Sequence, residues 1–200
     1  MRLVLVRHGQ GKDQLSETNS GERTCSGLTD LGREQVYALA THIRESGEFS
    51  DCETLLSSTI ARARQTAKIL LDVLPAQCVT EDSDLCELRL GQAEGLTASG
   101  IQAKYGDSTP PGAETSQELF DRARSTLLSY SERFNGQTVV AVTHGGFIVG
   151  STKMLFSGTG TKVWLDPLNT GITEWSLSNG IWTLVQYNNA SHLHRLKESN

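Results

Sequence analysis

The sequence predicts an α/β fold, a three-layer α/β/α sandwich in which helices cover both faces of a mostly parallel central sheet. Short apolar runs that suit buried strands occur at residues 3–6, 54–56 and 139–142, and a polar turn follows each run. Helix-like patterns lie between and after these runs, and this alternation is typical of a parallel sheet covered on both sides. The length of 200 residues favours one domain over two, so we expect a single domain over residues 1–200.

The first predicted helix opens at Thr29-Asp30 and stops at Gly47. Glycine shortly after the last apolar position is a common helix terminator. The apolar positions keep a spacing of three to four residues, which predicts an amphipathic helix; they are Leu31, Val36, Leu39, Ala40 and Ile43.

Three more helices are predicted farther along the chain. Residues 60–74 form the second helix, which Pro75 ends, and residues 146–155 form the fourth. Residues 117–134 form the third, with an apolar face predicted to consist of Leu119, Phe120, Ala123, Leu127 and Leu128.

The remaining segments predict an edge hairpin and a cap. The runs 171–177 and 181–187 flank Asn179-Gly180, a dipeptide typical of tight hairpin turns. Residues 91–112 are rich in glycine and contain Pro110-Pro111, so we expect at most a short helix near residues 98–105. An irregular insertion above a sheet is where a substrate cap would sit.

Charge and cysteine content narrow the class of protein. The 23 acidic residues outnumber the 18 basic ones, for a net charge of -5, which argues against nucleic acid or a membrane as a partner. The four cysteines form no CxxC pair, so we expect reduced thiols and neither a metal site nor a disulfide framework. The first apolar run is too short for a signal peptide and no run approaches membrane-spanning length, so we expect a cytoplasmic location.

Residues that could take part in catalysis or ligand binding follow the three predicted strands. Arg7 and His8 follow the first run, Arg62 lies shortly after the second, and His144 follows the third. Ligands of open parallel sheets bind beyond the carboxyl ends of the strands. If these strands are neighbours, two arginines and two histidines converge on one pocket.

That combination predicts a phosphoryl-binding pocket. Guanidinium groups match phosphate oxygens in a bidentate way, and the positive end of a helix that begins at Gly145-Gly146 adds backbone donors. Glycines at these positions and at Gly9 let the backbone approach a ligand closely.

These motifs resemble those of the histidine phosphatase superfamily, the phosphoglycerate mutase-like fold, and most closely its small broad-specificity phosphatases. RHG alone would be unspecific, but together with SxxxRAxQTA and THGG it is specific. The motifs run in the order of the family across nearly the whole chain; they are VRHG at 6–9, GLTDLG at 27–32, SSTIARARQTA at 57–67, LCELRLGQAEG at 85–95, PPGAET at 110–115, VVAVTHGG at 139–146, NTGIT at 169–173 and NNASHL at 188–193.

The resemblance implies a role for five residues. His8 would be the nucleophile that forms a phosphohistidine, and Arg7, Arg62 and His144 would hold the three nonbridging oxygens of the phosphoryl group. Glu87 would protonate the leaving oxygen and then deprotonate water. No metal or other cofactor is implied, because the arginines supply the positive charge.

Two of these assignments leave alternatives open. Gly145 and Gln14 are expected to complete the phosphate contacts, but Gln14 stands where many family members have asparagine, and Ser16 or Asn19 would fill that place if the loop runs differently. Other acids lie near Glu87 in the sequence and are alternatives to it; they are Asp82, Asp84, Glu94 and Glu114.

The interval from Gly95 to Pro110 is shorter than the cap of the family's mutases. A smaller cap leaves a phosphohistidine easier for water to reach, so the resemblance favours hydrolysis of a small phosphorylated metabolite. The alternatives are a cofactor-dependent phosphoglycerate mutase, a protein phosphohistidine or phosphotyrosine phosphatase, and a non-catalytic or regulatory binding module. The sequence leaves the physiological substrate open, and it also leaves open a homodimer through the edge hairpin or the cap.

Overall fold

Within residues 1–153 and 165–197, which the computed structural model describes, six strands form one sheet in the order β3-β2-β4-β1-β5-β6. The strands are β1 (Arg2–Arg7), β2 (Thr54–Ser57), β3 (Val79–Glu81), β4 (Thr138–Thr143), β5 (Ile172–Ser178) and β6 (Ile181–Asn189).

The three strands predicted to carry the pocket are neighbours. β4 lies between β1 and β2 and pairs with both in parallel, with Val4 opposite Val140 on one side and Leu55 opposite Val140 on the other. Their carboxyl ends therefore lie at the same edge of the sheet, as the sequence predicts.

Of the three outer strands, the sequence predicts β5 and β6 but not β3. β5 and β6 form the predicted antiparallel hairpin, and Asn179 and Gly180 both have positive φ, of 50° and 76°, as its tight turn requires. β3 was not predicted, because its three residues are half-buried or exposed and are too few to show an alternating pattern.

The helices are α1 (Lys12–Ser16), α2 (Asp30–Ser46), α3 (Ala61–Leu71), α4 (Ala98–Tyr105), α5 (Ser116–Arg133), α6 (Gly145–Lys153) and α7 (His194–Lys197). The predicted helix within the cap is confirmed as α4. α6 begins at Gly145, one residue earlier than predicted, and the predicted end at Leu155 lies outside the described residues. α3 ends at Leu71, three residues before the predicted Leu74; Pro75 disfavours the helical conformation at Leu74 itself.

Two predicted core positions are wrong. Leu31 is 45% exposed and Leu128 is 49% exposed. Each residue of a helix turns by about 100° around the axis, so Leu128 points away from the stripe that Leu127 occupies, and Leu31 lies about 140° from Val36.

The core lies on both faces of the sheet. Val4 and Val6 of β1 pack in a cluster with Leu39 of α2, whereas Leu3 and Leu5 pack in a second cluster with residues of α5 and α6. This alternation along one strand places helices on both faces and confirms the three-layer architecture.

The cap segment is fastened at both ends. Leu90 forms a β-bridge with Ala113 across the ends of the segment, and Thr97 forms another with Thr18 near α1. Gly91 has a φ of 53°, and a side chain there would collide with the backbone of residues 111–113, so this crossing requires glycine. None of the described helices has both the length and the apolar content that crossing a membrane requires.

Candidate active site

The carboxyl ends of β1, β4 and β2 open onto a cleft of about 500 Å³. Arg7 and His8 line it from the end of β1, and Arg62 lines it from the first turn of α3. Glu87 and Gln14 line it from outside the sheet. Four of the five residues to which the sequence assigns catalysis therefore share one cleft, and His144 lies directly beside His8.

The hydrogen bonds of His8 define the state of its imidazole. Nδ1 lies 2.7 Å from the carbonyl oxygen of Gly9, and Nε2 lies 3.0 Å from Nε of Arg62. A carbonyl only accepts and a guanidinium only donates, so Nδ1 carries the proton and Nε2 carries the lone pair. Burial lowers the pKa of His8 well below its ordinary value, and the charges of Arg62 and Arg7 lower it further. His8 is thus a neutral imidazole whose free electron pair lies on Nε2.

Arg62 is fixed by backbone and side-chain oxygens. Its Nη1 donates to both the carbonyl and the hydroxyl of Ser20 at 3.1 Å and lies 3.6 Å from Oδ2 of Asp13. One turn farther along α3, the Thr66 hydroxyl donates to the Arg62 carbonyl and accepts from the amide of Gly9. The guanidinium and the nucleophile are thus held by one network.

Arg7 has an unused donor. Its Nη1 donates to the carbonyl of Pro167, whereas its Nε is buried without a hydrogen-bond partner among the described residues. Burial lowers the pKa of Arg7, although the carboxylate of Glu87 opposes that effect. A buried guanidinium donor without a partner is a ready contact for an anionic ligand.

His144 is completely buried, and its ring centroid lies 4.9 Å from that of His8. Its Nε2 lies 2.8 Å from the hydroxyl of Ser58, and its Nδ1 has no partner within the described part of the chain. Burial lowers the pKa of His144 well below its ordinary value, with Arg62 as the next cause, so this imidazole is also neutral.

Glu87 is held at the amino end of α6. Its Oε2 accepts from the amide of Gly146 at 3.0 Å, and its Oε1 accepts from the amide of Leu88 at 3.1 Å. A side chain at position 146 would collide with Oε1, so the carboxylate occupies the space that this glycine leaves. Thr143 fixes the preceding segment, because its hydroxyl donates to the carbonyl of Leu85 at 2.6 Å.

The four alternative acids are engaged elsewhere. Asp82 accepts from the hydroxyl of Tyr130, Asp84 pairs with Arg89, Glu94 pairs with Arg23 and Glu114 pairs with Arg122. As far as the described residues extend, Glu87 is the only one of these five acids that lines the cleft.

Two of the three candidates for the remaining phosphate contact line the cleft. Gln14 lines the cleft, and its amide exchanges hydrogen bonds of 3.2 and 3.3 Å with the amide of Asn169. Asn19 lines the cleft too, but its Nδ2 donates to the carbonyl of Leu96. The hydroxyl of Ser16 is bound within its own loop. Gln14 and Asn19 thus both line the cleft with amides that already bond to neighbours, whereas Ser16 does not line it.

Gly145 begins α6 beside Arg7. A side chain carbon there would lie 3.5 Å from Nε of Arg7, which is an ordinary contact, so the space beside Gly145 does not itself require glycine. The next residue, Gly146, is the position at which a side chain would collide with Glu87.

Three residues that support the site were not predicted. Asp13 lies in α1, a helix too short to show a periodic pattern, and its Oδ1 is buried without a partner among the described residues. Asn169 donates to the carbonyl of His8 at 3.0 Å, and its place in the NTGIT motif was the available signal. Ser58 holds His144, and its signal was its position just beyond a strand end.

Together these groups suit phosphoryl transfer. A neutral imidazole can attack phosphorus, two guanidinium groups can neutralise the transferring oxygens, and a carboxyl group can exchange the proton of the leaving oxygen. The positive charge comes from side chains that the fold already holds in place.

Comparisons with known proteins agree with this chemistry. The histidine phosphatase superfamily (branch 1) matches residues 3–190. The uncharacterized phosphatase PhoE of Bacillus subtilis (strain 168) is 27% identical over 199 residues, which cover 96% of each chain. A 2,3-bisphosphoglycerate-dependent phosphoglycerate mutase of Chelativorans sp. (strain BNC1) is 28% identical and covers 85% of this chain and 88% of its own. The solved structure of Bacillus stearothermophilus YhfR matches with a TM-score of 0.81 at 24% identity, over 96% of this chain and 98% of that one, and supports the fold alone.

Proposed function

Because the chain belongs to the histidine phosphatase superfamily (branch 1), we propose that it hydrolyses phosphomonoesters through a phosphohistidine on His8. The observation that carries this proposal is the bonding of His8. Its Nδ1 proton is directed to the Gly9 carbonyl, so the lone pair on Nε2 lies beside Arg62 in the cleft. An imidazole in this state is ready to act as a nucleophile.

In the first step, Nε2 of His8 attacks phosphorus and the ester P–O bond breaks. The carboxyl group of Glu87 gives its proton to the departing oxygen, so the alcohol leaves neutral. Arg62 exchanges its present contacts for the phosphoryl oxygens, Arg7 offers them its unpaired Nε, and both neutralise the charge that builds there. The products are a phosphohistidine and an alcohol.

In the second step, water attacks the phosphohistidine. The carboxylate of Glu87 takes one proton of the water, the new P–O bond forms, and the N–P bond breaks with its electron pair returning to Nε2. Inorganic phosphate leaves, and both His8 and Glu87 regain their starting states. The proposal assigns the positive charge to arginines, so activity should persist in EDTA.

The substrate we propose is a small phosphorylated metabolite. The phosphatase PhoE supports hydrolysis, because this chain aligns with 96% of it without a large extra segment. The cleft of about 500 Å³ suits a small molecule and is open to water.

The test is hydrolysis of p-nitrophenyl phosphate in EDTA by the wild type, by His8→Ala and by His194→Ala. His194 is an exposed histidine in α7 and serves as the matched control. We expect turnover in the wild type and the control and a loss of at least about 10³-fold in His8→Ala. A folded wild type without turnover, or a His8→Ala variant with full turnover, would overturn the proposal.

A phosphoglycerate mutase is the second candidate, and the 28% identical mutase favours it. Such an enzyme would convert 3-phosphoglycerate into its isomer faster than it releases inorganic phosphate, and a bisphosphorylated glycerate would activate it. If the protein releases inorganic phosphate from 3-phosphoglycerate without forming the isomer, it is a phosphatase and not a mutase.

A further inference from the structure

One face of α6 lines the cleft, beginning next to Glu87 and extending away from it. Gly146, Val149 and Lys153 all line the cleft, and their spacing of three and seven residues places them on one side of the helix. The amide of Gly146 binds Glu87. At a rise of 1.5 Å per residue, Val149 lies about 4.5 Å and Lys153 about 10 Å farther along the axis. The Cα atom of Lys153 therefore lies about two helical turns beyond the amide that holds the proposed proton donor.

One side of the cleft is mostly apolar, although Ser116 of α5 also lines it. Its apolar side chains come from the segment after Glu87, from α5, from α6 and from Leu165. All but Leu119 are only half-buried, so they still have surface that a ligand can cover; they are Leu88, Leu90, Leu119, Phe120, Val149 and Leu165.

The positions of the charged side chains in the cleft also favour an apolar alcohol as the leaving group. Of the described residues that line the cleft, Lys153 is the only cation apart from Arg7 and Arg62. Its Nζ lies 4.4 Å from the centre of the Phe120 ring. A compact anionic alcohol such as glycerate would bring its own carboxylate among these apolar side chains, where burial of a charge is costly.

We propose that this protein prefers phosphomonoesters of apolar alcohols, whose alkyl or aryl group packs between Leu88, Phe120 and Val149. The proposal rests on the proposed function, because it concerns the leaving group of that same reaction. Binding energy from an apolar alcohol in this part of the cleft would position the ester oxygen next to Glu87.

The experiment measures kcat/KM for ethyl, butyl and hexyl phosphate and for 3-phosphoglycerate. The three alkyl esters have primary alcohols of similar acidity, so differences among them report packing and not leaving-group chemistry. We expect kcat/KM to rise roughly 2- to 4-fold per methylene, and hexyl phosphate to exceed 3-phosphoglycerate.

Variants locate the effect in the cleft. Phe120→Ala should reduce the ratio of hexyl to ethyl phosphate. Val149→Thr, which keeps the shape of the side chain, should reduce it as well and serves if the first variant does not fold. Leu128→Ala is the control, since Leu128 is an exposed apolar residue of the same α5 outside the cleft, and its ratio should match the wild type.

The outcomes separate the two proposals. If ethyl phosphate is hydrolysed in a manner that depends on His8 but the rate does not rise with chain length, or 3-phosphoglycerate is preferred, this inference fails and the proposed function stands. If no ester is hydrolysed in a His8-dependent manner, the proposed function fails and the inference fails with it. A chain-length dependence that both cleft variants retain would overturn the placement of the alcohol between α5 and α6.

Discussion

Arg122 holds the backbone of Glu87: its Nη2 donates to the Glu87 carbonyl at 3.3 Å, and its Nη1 donates to the carbonyls of Cys86 at 2.9 Å and Asp84 at 2.6 Å. The guanidinium is itself fixed by a bidentate pair with Glu114, at 2.7 and 2.8 Å. One side chain of α5 thus fixes three carbonyls of the segment that presents the proposed acid. Arg122 does not line the cleft, so we expect it to act by positioning Glu87.

Arg122→Lys should impair reactions that need a proton donor. Lysine keeps the charge but loses the planar set of donors, so Glu87 would no longer be held in one place. We expect kcat/KM for an alkyl phosphate to fall about 10- to 100-fold, and kcat/KM for p-nitrophenyl phosphate to fall less, because kcat/KM reports the first step and nitrophenolate leaves with little help. Arg124→Lys, an exposed position on the same helix, is the control. Equal losses of kcat/KM for both substrates would argue against positioning of the proton donor.

Ser58→Ala should remove the only hydrogen-bond partner that the His144 imidazole has in the described residues. Loss of a buried hydrogen bond costs about 1–3 kcal/mol, so we expect kcat/KM to fall about 5- to 150-fold. Ser57→Ala is the matched control, because the Ser57 hydroxyl is equally buried but donates to the carbonyl of Ser58. An equal loss in both variants would contradict a specific role for the contact with His144.

Much of the fold could be predicted because it depends on residues close in sequence. The LVLV run of β1, Gly47 after α2 and Asn179-Gly180 in the hairpin each carry their signal within a few residues. The contacts that fix the site do not. Ser58 and His144 are 86 residues apart, and the carbonyl of Glu87 and Arg122 are 35 apart, so these pairs exist only once the sheet order and the packing of α5 are known. Short elements such as β3 and α1 contain too few residues to show any period.

Acid should destabilise the folded protein, and His192 should account for part of the effect. Burial and, to a smaller extent, the charge of His42 together lower the pKa of His192 to about 4. The unfolded chain, in which histidine titrates near 6.5, therefore binds more protons between pH 6.5 and 4, so the free energy of unfolding falls as the pH drops through this range. His192 alone should make the protein about 2 kcal/mol less stable at pH 5 than at pH 7.5.

Urea unfolding of the wild type and of His192→Gln at both pH values would measure this contribution. Glutamine keeps a group that can bond to the hydroxyl of Thr170, which now lies 2.8 Å from Nε2 of His192, but it does not titrate. The difference between the two pH values should shrink in the variant by about 2 kcal/mol. The same difference in both proteins would show that the pKa of His192 is not lowered by folding.

Gly146→Ala should separate the two steps of the proposed reaction. The new methyl group would collide with Oε1 of Glu87 and come within 3.1 Å of Leu119, so the carboxyl group must leave its place at the start of α6. Nitrophenolate departs without an acid, but the attack of water still needs a base. The first step with p-nitrophenyl phosphate should therefore persist while hydrolysis of the phosphohistidine slows about 10²- to 10⁴-fold.

Rapid mixing of this variant with p-nitrophenyl phosphate should thus give a burst close to one equivalent of nitrophenolate, followed by slow turnover. The matched control is Gly100→Ala in α4, where the added methyl group would lie 3.3 Å from the Thr97 hydroxyl and alanine suits a helix better than glycine. That variant should show the turnover of the wild type. A Gly146→Ala enzyme that turns over steadily at the wild-type rate would show that Glu87 is not the base, because the substitution cannot be accommodated with the carboxylate where it now lies.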